Sequence, residues 1–149
     1  MPALWRLYRA RHGAGLDGIG GTFADGRWHT RGELVVYFGG SAAIVVLERL
    51  AHTDPDLLPD DLRLAEFEFS GAVSEFGAEG ELAEDWTQDE SATRKIGARW
   101  RRKRAASLLR VPSAILPEEA NFIFNPRHPE AGLLRLIRER EFRFDIRLI

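Results

Sequence analysis

The chain of 149 residues has no cysteine, a single methionine and no long apolar run. Without cysteine it has no disulfide, thiolate nucleophile or thiolate metal ligand, and this composition is typical of a reducing compartment. Its first residues lack the charged start and apolar stretch of a secretory signal, and no segment approaches the length of a membrane span. We therefore expect a soluble, cytoplasmic protein that does not act in a membrane.

The chain also lacks an excess of charge of either sign. Its formal net charge is −2, so it has no overall attraction for nucleic acid. Its four histidines show neither an HExxH motif nor another spacing of metal ligands, so we expect no metal site.

A chain of this length buries roughly two-thirds of its unfolded surface, which is enough for one core. We expect a single domain over residues 1–149.

Apolar periodicity predicts a mixture of strands and helices. Two stretches have helical spacing, residues 42–52 after Ser41 as N-cap, and residues 91–104. A glycine-rich loop covers residues 13–26, and residues 70–90 predict a loop with short helical pieces. Residues 129–141 suit either a helix or a strand. The predicted strands are residues 4–9, which would form an edge, and residues 34–38, 62–69, 108–111, 122–124 and 142–148.

Arg9 and Arg27 are candidate phosphate ligands. Each lies beside an aromatic residue and near the glycine-rich loop. Guanidinium groups bind phosphate with two parallel hydrogen bonds, and backbone NH groups in glycine-rich turns add further donors. A ligand that carries a diphosphate would suit both arginines. Alternatively, they are surface residues that pair with neighbouring acidic side chains.

Four other residues have two interpretations each. Glu48 has apolar neighbours on its predicted helix and could face a cleft, or it could pair in solvent with a histidine four residues later. Tyr37 ends a buried strand and suits either the core or an aromatic plate for a nicotinamide or adenine ring. Ser113 and Ser91 could point hydroxyls into a pocket or serve as ordinary caps.

One basic run surrounds Trp100. Such a run could bind nucleic acid or an acidic partner, or it could form the solvated face of a helix. The run consists of Arg99, Arg101, Arg102, Lys103 and Arg104.

Ordered blocks along nearly the whole chain resemble the signature of RES-domain proteins. These bacterial toxins of toxin–antitoxin pairs are named for an arginine, a glutamate and a serine. A series of blocks in order is far more specific than any one block. The blocks are Leu7-Tyr8-Arg9, Gly18-Ile19-Gly20-Gly21, Gly26-Arg27-Trp28-His29, Val35-Val36-Tyr37, Glu48, Ile96-Gly97 with Trp100, and residues 108–115 and 121–129.

The resemblance implies a compact α+β domain similar to the ADP-ribosyltransferase toxins. It implies NAD⁺ as substrate, with cleavage of the nicotinamide–ribose bond by hydrolysis or phosphorolysis. An Xre-type helix-turn-helix antitoxin is the implied partner, a homodimer is left open, and no direct contact with nucleic acid is implied. Transfer of ADP-ribose to a protein target is the alternative reaction, and a non-catalytic binding module is the alternative class.

By position in the blocks, the resemblance assigns catalytic roles to Arg9, Tyr37, Glu48 and Ser113. Glu48 would stabilise the positive charge that develops on the ribose carbon. The serine would hold the ribose or the amide, and Tyr37 would stack on or bond to the nicotinamide riboside. Ser113 ranks before Ser91, which matches the serine of some relatives. The residues that would bind NAD⁺ are Arg9, Arg27, Trp28, Tyr37 and Ser91, with both arginines on the diphosphate.

Overall fold

A computed structural model describes residues 1–149, and it has seven strands and two α-helices. Short 3-10 turns occupy several loops, including two in the segment before the second helix. The architecture is therefore α+β, as predicted. In chain order the elements are β1 Ala3–Arg9, β2 Val36–Gly39, α1 Ala42–Ala51, β3 Leu62–Phe69, β4 Val73–Glu75, α2 Glu90–Lys103, β5 Leu108–Pro112, β6 Ala120–Phe124 and β7 Leu134–Phe142.

All seven strands form one sheet in the order β4-β5-β6-β2-β1-β3-β7. Only β4 and β5 pair in parallel, and every other neighbouring pair is antiparallel. The prediction that the first strand lies at an edge is wrong. β1 pairs with β3 along its full length and contacts β2 where Trp5 lies opposite Gly39. The residues of β1 do not indicate which strands it pairs with, because those strands lie far away in the sequence.

The sheet is buried on both faces around β5 and β6. Successive side chains of a strand point to opposite faces, and the core follows this alternation. Phe122 and Phe124 belong to one buried cluster with Leu108, whereas Ile123 belongs to a second cluster with Leu109. Helix α2 contributes Ile96 and Trp100 to the second cluster.

Helix α1 begins where the sequence predicts. The Ser41 hydroxyl accepts a hydrogen bond of 3.2 Å from the backbone NH of Ile44, which satisfies one of the free NH groups of the first turn. The helix packs tightly against the end of β2. A Cβ on Gly39 would lie only 2.5 Å from the Val45 side chain, so glycine is needed at this contact. This close approach places the second turn of α1, with Glu48, above the sheet.

The C-terminal end differs from the prediction. Residues 134–142 form a strand, which decides between the two alternatives for residues 129–141. The predicted strand at 142–148 is wrong, because the chain turns into a 3-10 helix at Ile146–Leu148. The Asp145 carboxylate caps that turn by accepting from the NH of Arg147 at 2.9 Å. No helix combines the length and the apolar character that crossing a membrane requires.

Candidate active site

A cavity of about 480 Å³ opens between α1, the central strands and the loop before β2. Its volume lies in the range of small-molecule sites. Charged side chains of both signs line it, so it suits a ligand with both cationic and anionic parts. They are Arg6, Asp25, Arg27, Glu48, Arg49 and Glu90.

The Glu48 carboxylate is held in one orientation. Its Oε1 accepts hydrogen bonds from Ser113 Oγ at 2.8 Å and from Asn121 Nδ2 at 2.9 Å. Its Oε2 lies 3.5 Å from Nε2 of His52, which is the pairing expected for residues four apart on a helix. Glu48 therefore both faces the cavity and pairs with His52, which were the two interpretations of its position in the sequence. Its side chain is one quarter exposed.

Ser113 lies behind Glu48 and is fully buried. Besides donating to Glu48, its Oγ accepts from the backbone NH groups of Ile115 at 3.1 Å and Leu116 at 3.3 Å. The hydroxyl thus fixes a turn and a carboxylate together, but it does not line the cavity. Asn121 has the same contact with Glu48, and sequence reasoning gave it no role although it opens one of the recognised blocks.

Tyr37 and His29 form a hydrogen-bonded pair. The Tyr37 hydroxyl lies 2.7 Å from His29 Nδ1 and accepts from the NH of Trp28 at 3.2 Å. His29 Nε2 lies 3.1 and 3.0 Å from the carbonyl oxygens of Gly21 and Ala24, which only accept hydrogen bonds, so Nε2 carries a proton. With the tautomer that has its single proton on Nε2, Tyr37 donates to Nδ1. Burial raises the pKa of Tyr37, so its hydroxyl stays protonated.

Helix α2 holds the Gly26–Trp28 segment against the cavity. A Cβ on Gly97 would stand 1.8 Å from the Trp28 carbonyl oxygen, so only glycine permits this contact. Thr93 Oγ1 donates to the Arg27 carbonyl, and Arg94 Nε donates to the Gly26 carbonyl at 2.8 Å. The helix thereby fixes the backbone on either side of Arg27.

Trp28 and Arg27 meet Trp86 in different ways. Trp28 lines the cavity but is only 3% exposed, and its ring packs 6.2 Å from the Trp86 ring. The guanidinium of Arg27 lies 5.9 Å from the Trp86 ring centroid, and its Nη2 lies 3.6 Å from Glu90 Oε1. Its buried Nη1 has no hydrogen-bond partner. Arg27 therefore pairs with Glu90 on one side and has no hydrogen-bond partner at Nη1.

Arg9 does not line this cavity, and Arg6 does. Arg9 Nε forms an ion pair of 2.6 Å with Asp61 and borders a second cavity of about 830 Å³. Arg6 donates to the carbonyls of Ala14 at 2.6 Å and Tyr37 at 2.9 Å. Burial and the positive charge of Arg49 lower the pKa of Arg6 to about 10. Arg6 lies three residues before Arg9, and sequence reasoning overlooked it.

Ser91 lies outside the cavity. It is exposed at the start of α2, where its hydroxyl donates to Asp89 Oδ1 at 2.6 Å and its NH donates to the same oxygen. The structure therefore brings Ser113 to Glu48 and leaves Ser91 in a capping turn.

The basic run on α2 is largely engaged within the molecule. Lys103 Nζ pairs with Glu79 at 2.9 Å, and Arg99 Nε donates to the Glu79 carbonyl at 2.8 Å. Arg101 lies 3.8 Å from Glu33. Three of the five cations therefore contact other parts of the molecule, whereas Arg102 and Arg104 are exposed.

Comparison with known proteins identifies the family that the sequence blocks resemble. The RES domain matches residues 3–145. The toxin named Toxin Res of Pseudomonas putida is 39% identical over 147 residues, covering 97% of this chain and 98% of the relative. The Prs ADP-ribosylating toxin of Sphingobium sp. is 32% identical over 155 residues, covering 99% and 96%.

A solved structure has the same fold at low sequence identity. A chain of the M. tuberculosis MbcT–MbcA toxin–antitoxin complex superposes with a TM-score of 0.71 and 17% identity. The match covers 94% of this chain and 83% of that one. The likeness confirms the predicted toxin-type fold with its mixed sheet and two helices.

Proposed function

This chain belongs to the RES-domain family of toxins, and from that premise we propose that it cleaves the bond between nicotinamide and ribose in NAD⁺. One observation carries the proposal. A carboxylate, Glu48, is fixed by two neutral donors at the wall of a cavity that arginines also line. Such a site can bind an anionic dinucleotide and stabilise positive charge at one point within it.

In the proposed reaction the protein forms no covalent bond with the substrate. As the bond between the ribose carbon and the nicotinamide ring nitrogen breaks, its electron pair stays with nicotinamide, which leaves neutral. Positive charge builds on the ribose carbon, and the Glu48 carboxylate stabilises it. Attack by water gives ADP-ribose and a proton, whereas attack by phosphate gives the ADP-ribose phosphate ester. Orientation of the ribose and the diphosphate is then the main contribution of the fold.

The proposed roles follow the contacts. Glu48 is the catalytic carboxylate, and Ser113 and Asn121 position it. Tyr37 borders the reacting end, where its ring can contact the nicotinamide riboside while its hydroxyl is engaged by His29. Arg27 lines the same cavity, and its guanidinium is the proposed contact with the substrate.

Every site role assigned by resemblance is a prediction, and three of them gain no support from these contacts. They are the role of Arg9 on the diphosphate, the role of Trp28 in binding and the role of Ser91. The ion pair with Asp61 occupies one edge of the Arg9 guanidinium, and the Trp28 ring faces Trp86. Ser91 is the second candidate, after Ser113, for the functional serine of the family.

The direct test is nicotinamide release from NAD⁺ by the purified chain, with and without phosphate. We expect release by the wild type and its loss in Glu48→Gln. A rate that rises with phosphate concentration would indicate phosphorolysis, and a rate independent of phosphate would indicate hydrolysis. A folded wild type that releases no nicotinamide under either condition contradicts the proposal of degradation.

Transfer of ADP-ribose to a protein is the second candidate. The relative from Sphingobium is named an ADP-ribosylating toxin, and the same residues would serve both reactions because only the acceptor differs. Incubation with labelled NAD⁺ and a lysate separates them. Label on a protein band, with little nicotinamide release from NAD⁺ alone, favours transfer.

An antitoxin is the proposed partner, and we propose an Xre-type protein for that role. The neighbour in fold was solved as a toxin–antitoxin complex. Co-expression with the protein encoded beside this gene provides the test. Restored growth together with a purified complex supports the pairing, and growth arrest that persists contradicts it.

A further inference from the structure

Two cavities meet at one wall of this protein. The cavity beside Glu48 and the larger cavity of about 830 Å³ share Arg6, Leu7, Tyr37 and Arg49 in their linings. The shared residues come from β1, β2 and α1, so the boundary lies on regular elements. The two cavities are therefore neighbours, and a ligand that occupied both would cross these side chains.

Arg49 is the unpaired cation at this boundary. Arg6 donates to two backbone carbonyls and Arg9 pairs with Asp61, whereas the Arg49 side chain forms no hydrogen bond or ion pair. Its Nε is buried without a partner. Burial and the nearby positive charge of Arg9 lower the pKa of Arg49, and the negative charge of Asp61 offsets this only in part. A half-buried guanidinium without a partner favours an anionic group.

The second cavity has the surfaces that a nucleoside needs. Its lining includes several glycines between residues 13 and 21, where backbone can approach a ligand closely. Phe23 stands at this cavity with 72% of its surface exposed, and Ile19 is 50% exposed. Bases stack on exposed aromatic rings of this kind.

We propose that Arg49 binds the diphosphate of the dinucleotide, with the nicotinamide riboside beside Glu48 and the adenosine in the second cavity against Phe23. This inference rests on the proposed function for the choice of dinucleotide. It moves the principal diphosphate contact from Arg9 to Arg49. The fork of donors on Arg49 can contact two phosphate oxygens, so a lysine at this position would replace it poorly.

The test measures binding of ADP and of adenosine by calorimetry, which does not depend on turnover. In Arg49→Gln we expect the Kd for ADP to rise at least about tenfold while the Kd for adenosine stays unchanged, because only ADP carries the diphosphate. Phe23→Ala should raise the Kd for both ligands. Arg31→Gln is the charge-matched control, since Arg31 is exposed, lines neither cavity and has no side-chain partner.

The outcomes separate this inference from the proposed reaction. ADP affinity in Arg49→Gln equal to that of the wild type overturns the inference, even where the wild type releases nicotinamide. A wild type that binds no ADP also overturns it. Loss of ADP affinity in Arg49→Gln and not in Arg31→Gln supports the subsite, including in a protein without nicotinamide release. In an active protein, Arg49→Gln should raise the KM for NAD⁺ more than it lowers kcat.

Discussion

The hydroxyl of Ser113 donates a 2.8 Å hydrogen bond to the carboxylate of Glu48, although the two residues lie 65 positions apart in sequence. The contact joins the turn after β5 to the second turn of α1. Asn121 on β6 donates to the same oxygen, so side chains from two other elements hold the carboxylate on α1. This arrangement makes the serine a positioning residue for the glutamate.

Replacing Glu48 with glutamine should abolish most activity without unfolding the protein. Glutamine retains an oxygen that can accept from Ser113 and Asn121, but it removes the negative charge. We expect nicotinamide release to fall by about 100-fold or more while the melting temperature changes little. Glu118→Gln, at an exposed position without side-chain contacts, serves as the control. Equal activity of the two variants would contradict the role of Glu48.

Replacing Ser113 with alanine should lower both activity and stability. The variant leaves Glu48 with one donor and the NH groups of Ile115 and Leu116 without an acceptor. We expect kcat/KM for NAD⁺ to fall about tenfold and the free energy of unfolding to fall by about 1–3 kcal/mol. Steady-state kinetics and urea unfolding measure the two effects. A loss of activity in Ser91→Ala and none in Ser113→Ala would favour Ser91 as the functional serine.

Tyr37 and His29 should behave as a coupled pair. Tyr37→Phe removes the acceptor of the Trp28 NH and the donor to His29, so we expect it to cost about 1–3 kcal/mol of unfolding free energy. Once either side chain is changed, the second change should cost less. A double-mutant cycle with His29→Ala measures this coupling. Strictly additive effects would show that the 2.7 Å contact contributes no energy.

Gly97→Ala should destabilise the protein, although alanine normally stabilises the interior of a helix. The added Cβ would stand 1.8 Å from the Trp28 carbonyl, which forces α2 away from the loop that carries Arg27. We expect a loss of about 1–3 kcal/mol in unfolding free energy. Gly77→Ala is the matched control, because its Cβ would meet no atom within 4 Å. The same stability for both variants would contradict this packing.

The Arg9–Asp61 pair should make stability sensitive to acid. Partial desolvation acts to raise the pKa of Asp61, but hydrogen bonds from Arg9 and from the NH of Arg11 outweigh it, so the pKa lies below the ordinary 3.8. The resulting stability is present above pH about 4 and is lost as the pH falls through the folded-state pKa.

Melting temperatures measured from pH 6 to pH 2.5 test this dependence. Asp61→Asn should lose less stability than the wild type on acidification, because it has no carboxylate to protonate. Asp60→Asn, exposed and without side-chain contacts, should follow the wild type. An acid-induced loss in Asp61→Asn as large as in the wild type would contradict the assignment.

Local patterns in the sequence determined most of the regular elements. The predicted strand at 62–69 agrees with β3, and Ser41 caps α1 because its hydroxyl meets a free NH of the same helix. The RES-type blocks were also readable, since they consist of neighbouring residues, and the match over residues 3–145 confirms the family. These features depend on contacts within a few positions of the chain.

The tertiary structure alone decided what surrounds each site residue. Three positions separate Arg6 from Arg9, yet the pairing of β1 between β2 and β3 sends Arg6 to the cavity beside Glu48 and leaves Arg9 with Asp61. Arg49 became a candidate for the same reason, because only packing shows that its guanidinium has no partner. Hydrogen bonds and charge compensation depend on distances between residues far apart in the chain, and the sequence does not contain those distances.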